Sequence, residues 1–308
     1  MSEPLGSPLI DPSAPPPGGE EGSPFPAPLP ANAPWIQKHF GTDMQVGSWC
    51  FLISAVEYFV LAVLMIFVEE TVTNWSSLIG SIMFVIGSVY FLYVSYPEVM
   101  MEMFKVTPED VEKMSWTEKY FTGNHFLKAT WFFLLACTPY IYDAVYIIII
   151  EPTSAVGYAY LFGVLVSISG IFVWVYSCMP KNMLANGMQG SSFLYEKVLS
   201  KCCCCCMYTW KRHAGTDFLA GAWFFTILAA GFFLLGLAYV FYAPTYYLSW
   251  IFFTDGIGFL AGSYLFVLTS YPENMLTTYV YDRMLKHLCC IKDVAGDIPA
   301  PHAAGSQA

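Results

Sequence analysis

Three acidic side chains lie within long apolar stretches of the chain: Glu57, Asp143 and Asp255. A charge near the centre of a bilayer costs at least about 2.5 kcal/mol, and such residues commonly mark a proton or ion pathway. No Lys, Arg or His lies deep enough in the same stretches to pair with them. We therefore expect the carboxyl groups to be protonated, hydrated in a polar cavity, bound to a cation, or hydrogen-bonded to hydroxyl groups such as those of Tyr58, Tyr142 and Ser263.

A simpler interpretation remains open for the two aspartates, since both lie within a few helical turns of an interface where they would reach headgroup water. Asp255 also matches Gly80 and Gly163 when positions are counted back from Pro272, Pro97 and Pro180. The acids therefore do not form a threefold ring, and a symmetric carboxylate filter of the cation-channel kind is disfavoured.

Cysteine residues form the second pattern that could carry chemistry. The clustered residues are Cys202, Cys203, Cys204, Cys205, Cys206, Cys289 and Cys290. Metal binding requires spaced ligands such as C-x-x-C with His, so the unbroken run predicts no metal site. Membrane-proximal cysteines beside basic residues favour S-acylation, which would place the protein in a eukaryotic membrane. Redox sensing and a merely apolar interfacial strip are the alternatives.

Other chemistries lack a basis in the sequence. It contains no P-loop, dinucleotide fingerprint, HExxH or nucleophile elbow with partners, so we predict no catalytic residues, no cofactor and no enzyme activity. A formal charge of -10 without a basic stripe argues against nucleic acid as a partner.

The elements that must position these residues are membrane helices. Side chains are 56% hydrophobic and only 12% charged, too apolar a composition for one soluble core. Six stretches have the roughly 20 residues that a span requires. They run over 47–68, 77–96, 126–150, 155–178, 218–242 and 247–270. The fold class predicted is all-α, a polytopic integral membrane protein with six transmembrane helices.

The basic residues orient these spans. Twelve of the thirteen Lys and Arg residues fall before the first span, in the two long connections, or after the last span, and Lys128 lies at the start of the third span on the same side. The three short turns carry none. The positive-inside rule therefore places both termini and both long connections in the cytoplasm.

An internal triplication organises the spans into hairpins. Trp49, Trp131 and Trp223 are each followed 48 or 49 residues later by a proline. Residues at matching offsets suggest shared roles: Asp43, His125 and Asp217 as helix caps, and Gly87, Gly170 and Gly262 as sites of close helix packing. Each repeat crosses the membrane twice, so the three hairpins have the same orientation, with a pseudo-threefold axis along the membrane normal.

The repeated residues resemble the YrhK-like family of small bacterial two-helix membrane proteins. The resemblance lies in Asp217-Phe218-Leu219 at the helix entry, Trp223-Phe224-Phe225 behind it, and Gly262-Ser263 in the second helix. The second repeat departs from this pattern at His125 and Ile171. The resemblance implies three tandem two-helix units and no mechanism.

The predicted segments are a Pro-rich, disordered tail at 1–40, hairpins at 41–104, 123–188 and 214–285, connections at 105–122 and 189–213, and a tail at 286–308. The leading hypothesis is a non-enzymatic protein that organises a membrane or membrane complex, with the lipid bilayer and other membrane proteins or further copies of the chain as partners. The alternative is a proton-coupled or small-solute transporter or channel using the intramembrane carboxylates. A third class is a membrane-bound subunit of an enzyme whose chemistry belongs to another chain.

Overall fold

A computed structural model describes residues 33–153, 155–186, 194, 197, 212–271, 274 and 278–285. The clustered cysteines predicted to be acylated, Cys202 to Cys206 with Cys289 and Cys290, lie outside these residues. The helices within the described ranges are α1 (Trp35–Phe40), α2 (Asp43–Val68), α3 (Val72–Val94), α4 (Pro97–Phe104), α5 (Pro108–Lys113), α6 (His125–Ile150), α7 (Ala155–Cys178), α8 (Pro180–Asn186), α9 (Asp217–Tyr242) and α10 (Tyr247–Thr269). Short π-helical turns occupy Glu118–Thr122 and Tyr281–Leu285.

Six of these helices are long and apolar enough to cross a membrane, which confirms the all-α polytopic fold class. They are α2, α3, α6, α7, α9 and α10. The predicted spans begin several residues too late at α2 and α3. Threonine hydroxyl groups cap these two helices at an earlier residue, within polar sequence. Thr71 accepts a hydrogen bond from Asn74 N, so α3 begins at Val72 rather than near Ser77.

The spans form a closed ring of three hairpins. In chain order, α2 packs on α3, α3 on α6, α6 on α7, α7 on α9 and α9 on α10, and α10 returns to pack on α2. We call the end where α2 meets α3, α6 meets α7 and α9 meets α10 the turn end. The basic end is the opposite one, which carries α1, α4, α5 and α8.

The helix entries correct the predicted caps by one position. The capping side chains are Thr42, Asn124 and Thr216, which accept hydrogen bonds from Gln45 N, Leu127 N and Leu219 N. The residues predicted as caps, Asp43, His125 and Asp217, are instead the first residues within α2, α6 and α9. An N-cap has extended backbone angles while its side chain reaches N3, and the preceding residue fills that role in each repeat.

The glycines of the second helices lie where one repeat meets the next. A Cβ on Gly87 would approach the Phe133 ring of α6 to 2.9 Å, and one on Gly170 would approach Phe224 Cβ of α9 to 2.3 Å. On Gly262 it would meet the carbonyl oxygen of Gly47 in α2 at 2.9 Å. The glycine at this position of each repeat therefore allows close packing at one of the three contacts between neighbouring hairpins, which we call the joints of the ring.

Aromatic side chains fill the axis in the half of the bundle nearer the basic end. Six residues before each repeat's proline stand Phe91, Trp174 and Phe266, whose ring centroids lie 4.8 to 5.5 Å apart. Two residues after each repeat's Trp stand Phe51, Phe133 and Phe225, and the rings of Phe51 and Phe133 lie 5.4 and 5.6 Å from Phe225. With Phe126 and Phe218 these form what we call the aromatic stack. All eight side chains are buried, and edge-to-face contacts between them add to the free energy of burial.

Hydroxyl-to-carboxylate hydrogen bonds also order the basic end. Both the hydroxyl and the backbone N–H of Thr107 donate to Asp110 Oδ2, at 2.6 and 2.9 Å. These bonds favour the charged form and hold the pKa of Asp110 below its ordinary value. This capping box fixes the start of α5, which packs on α8 at the end of the second hairpin.

Candidate functional site

A polar cluster occupies the interior of the bundle between the aromatic stack and the turn end. Its members are Tyr58, Ser77, Tyr140, Asp143, Tyr160 and Asp255. They come from five of the six spans, so the cluster exists only when the three hairpins are assembled.

Tyrosine hydroxyls form the centre of the polar cluster. The Tyr58 side chain interacts with the hydroxyls of Tyr140 and Ser77, and its ring centroid lies 6.4 Å from that of Tyr140. Tyr58 also interacts electrostatically with both aspartates, and Tyr160 with Asp143. The structure therefore brings Asp143 and Asp255 to one polar region.

Asp143 is the most unusual member because its carboxyl group is underpartnered. The residue is only 5% exposed, and its Oδ1 has no hydrogen-bond partner among the described residues. The neighbouring Ser76 hydroxyl interacts with the Asp143 carboxyl group and also donates to the carbonyl oxygen of Pro139 at 3.1 Å. A buried carboxylate with one unpartnered oxygen is destabilised, and a proton, water or another ligand at Oδ1 would satisfy it.

Asp255 lies across the axis at the joint between α10 and α2. Its side chain is 8% exposed, and its backbone carbonyl accepts a hydrogen bond from Ser54 Oγ at 3.2 Å. Glu57, one helical turn beyond Ser54, is half-buried and interacts electrostatically with Asp255. Glu57 therefore borders the cluster from the α2 side.

Two of the predicted hydroxyl partners lie elsewhere. Tyr142 is 48% exposed and stacks on Tyr146 on the outer surface of α6, and Ser263 Oγ donates to the Phe259 carbonyl at 2.7 Å. Neighbouring residues in a helix point about 100° apart, so Tyr142 and Asp143 cannot share a face. Tyr58 is the predicted partner that the structure does place near the carboxyl groups.

Sequence reasoning missed Tyr140 and Tyr160, although the repeat contained a signal for one of them. Nine residues after each repeat's Trp stand Tyr58, Tyr140 and Phe232, so the first two occupy equivalent inward positions. Asp143 corresponds in the same way to Leu61 and Leu235, which marks it as a polar exception at an apolar position.

The carboxyl and hydroxyl groups of this cluster are suited to exchanging protons and to hydrogen bonding with water or small solutes. Among the described residues no group of three or more His, Cys, Asp and Glu side chains could hold a metal ion. The carboxyl and hydroxyl groups can exchange protons, but no basic residue lies in the same region of the spans.

The outer faces of the spans complete the description of the surface. Large apolar side chains are exposed there, such as Ile53, Phe162 and Leu234. A continuous apolar belt of this kind requires contact with lipid, and the chain is therefore a multi-pass membrane protein. No protein-family model, curated protein or solved structure matches the chain.

Proposed function

We propose that this protein is a non-enzymatic structural component that organises a membrane or a membrane complex. The aromatic stack carries the proposal, since it makes the basic half of the bundle a solid, closely packed core. The repeated residues support the same function, because they cap helices, close the joints of the ring and fill its axis. The proposal places the basic end in the cytoplasm, following the distribution of Lys and Arg. It treats the three hairpins as relatives of YrhK-like two-helix units on the strength of the repeated residues.

The first prediction is that the reconstituted protein conducts no protons or ions. A path along the axis would have to pass Phe91, Trp174 and Phe266, whose rings are in mutual contact. Liposomes containing the protein and a pH-sensitive dye should therefore acidify no faster than empty liposomes. The Glu57→Gln and Asp143→Asn variants should give the same low rate.

A second function is favoured by one observation, the unpartnered Oδ1 of Asp143. In a proton-coupled transporter this carboxyl group would take a proton from the turn end. Flux in the wild-type protein that disappears in Asp143→Asn, but persists in Glu69→Gln, would favour transport and contradict the structural proposal. Glu69 is a suitable control because it is an exposed acid in the short connection between α2 and α3.

The organising function itself predicts a stable assembly larger than one chain. Mild cross-linking in the native membrane, followed by blue-native electrophoresis, should show a species well above the 34.5 kDa chain. Migration of the cross-linked protein as a single chain would contradict the proposal, whatever the result of the flux assay.

We also propose that the clustered cysteines are S-acylated, because they adjoin membrane helices and basic residues. Hydroxylamine treatment followed by mass tagging should shift the wild-type protein. The shift should disappear when Cys202 to Cys206, Cys289 and Cys290 are all replaced by Ser. A variant with Cys50, Cys137 and Cys178 replaced instead should keep it, since those thiols lie within spans. Labelling that persists without the clustered cysteines would refute the assignment.

A further inference from the structure

A partly open pocket lies at the basic end, where the first hairpin meets the second. Its cavity has a volume of about 320 Å³, and it is bordered by the end of α3, by α4 and by the start of α6. Its polar wall includes Glu102, Asn124, His125 and Lys128, and its apolar wall includes Val99 and Met103. Tyr93 lines the pocket and is 48% exposed, so the pocket borders the lipid-facing surface of α3.

The two equivalent joints of the ring are closed by the chain itself. At the joint between the third and first hairpins, Asp43 Oδ1 accepts a hydrogen bond from Val280 N at 2.7 Å. At the joint between the second and third, Asp217 Oδ1 accepts one from Leu194 N, also at 2.7 Å. In both, a carboxylate at the first position of a helix receives a backbone donor.

The joint with the pocket has the opposite polarity. Its first helical residue is His125, whose ring lies 4.9 Å from that of Tyr93 and 5.9 Å from that of Tyr90. Nδ1 is buried without a hydrogen-bond partner among the described residues. We assign the ring proton to Nε2, because an unpaired buried N–H at Nδ1 would cost more than an unpaired lone pair. At this joint the first residue of the helix therefore offers a hydrogen-bond donor, whereas the other two joints offer a carboxylate acceptor. A ligand that complements this donor must provide an acceptor, such as a phosphate oxygen.

The charges on the wall specify the rest of the ligand. Lys128 and Glu102 both line the pocket, and no ion pair joins them in the described part of the chain. Lys128 and the amino end of α6 favour an anionic oxygen, whereas Glu102 favours a cation. We propose that this pocket binds a phosphoethanolamine group, with the phosphate at Lys128 and His125 and the ammonium at Glu102.

Phosphoethanolamine fits the wall better than related groups do. A phosphate group without an ammonium would leave the Glu102 carboxylate without a cationic partner. A choline group has no N–H with which to donate to that carboxylate. The position of Tyr93 favours a phospholipid as the source, since acyl chains can follow the exposed face of α3 while the headgroup enters the pocket.

The proposal is tested with the full-length protein in detergent micelles containing equal amounts of phosphatidylethanolamine, phosphatidylcholine and phosphatidylglycerol. Native mass spectrometry should show phosphatidylethanolamine retained about tenfold more than either competitor, as expected for charge-assisted contacts absent from the others. Lys128→Gln, Glu102→Gln and His125→Asp should each abolish the preference, the last because it recreates the polarity of the other two joints.

Matched controls separate recognition from folding. Lys113→Gln and Glu109→Gln change exposed charges of α5 that do not line the pocket, and both should keep the preference. Each variant is also checked for an unchanged thermal unfolding midpoint, and the more conservative His125→Asn replaces His125→Asp if that variant unfolds. Displacement of the lipid by millimolar soluble phosphoethanolamine would support the same chemistry and identify a soluble source. Equal retention of the three lipids, or a preference that survives Lys128→Gln and Glu102→Gln, would overturn the proposal.

Discussion

Replacing Trp174 by alanine should lower the free energy of unfolding by about 3–5 kcal/mol, the cost of removing a large aromatic side chain from a packed core. Trp174 is 0% exposed and stands on the axis, where its ring contacts those of Phe266 at 4.8 Å and Phe225 at 5.4 Å. The cavity would open between all three hairpins, so neighbouring side chains could not fill it without moving a helix. Equilibrium unfolding in mixed micelles, followed by near-ultraviolet circular dichroism, measures the change.

Trp174→Phe is the matched control for this experiment. Phenylalanine is the residue at both equivalent positions, Phe91 and Phe266, so its shape suits the site. The substitution also removes the indole Nε1, which is buried without a hydrogen-bond partner among the described residues. We expect a loss below about 1.5 kcal/mol, typical of conservative apolar substitutions. If Trp174→Ala were as mild as Trp174→Phe, the aromatic stack would not be the core of the protein.

The second large effect is expected from one added methyl group. In Gly170→Ala the new Cβ would lie 2.3 Å from Phe224 Cβ, an atom so close to the backbone that α7 and α9 would have to separate. Overpacking of this kind costs about 1–3 kcal/mol. The same unfolding measurement in micelles should therefore show a clear loss of stability.

Gly163→Ala provides the control on the same helix. No heavy atom lies within 4 Å of its ideal Cβ, so the methyl group meets open space. Since alanine is favoured over glycine in a helix by about 1 kcal/mol, this variant should be neutral or more stable. Equal losses in the two variants would mean that α7 tolerates no alanine for reasons of helix conformation, and would contradict a specific joint at Gly170.

The spans were predictable because their signal is local. Hydropathy and length locate each apolar stretch, and the even spacing of tryptophans and prolines groups the stretches into hairpins. The caps were placed one residue late, at Asp43, His125 and Asp217. Both Thr42 and Asp43 are suitable capping residues, and only backbone conformation distinguishes N-cap from N1.

The polar cluster was only partly predictable because it depends on how each helix is rotated about its own axis. Tyr160 interacts electrostatically with Asp143 from a different helix, a relation that spacing along one helix does not reveal. The repeat still contained useful information, since Tyr58 and Tyr140 occupy matching positions. Tyr142 was chosen instead for its adjacency to Asp143 in sequence, which in a helix means a different face.

The packing of α10 on α2 has a consequence for how the protein is made. Until the last span has entered the bilayer, the first and the fifth each present an uncovered flank, and Gly47 and Ser54 lack the residues that cover them. The ring of helices therefore cannot close until almost the whole chain has been synthesised. A product shortened by one hairpin would leave two helix flanks without the neighbours that normally cover them.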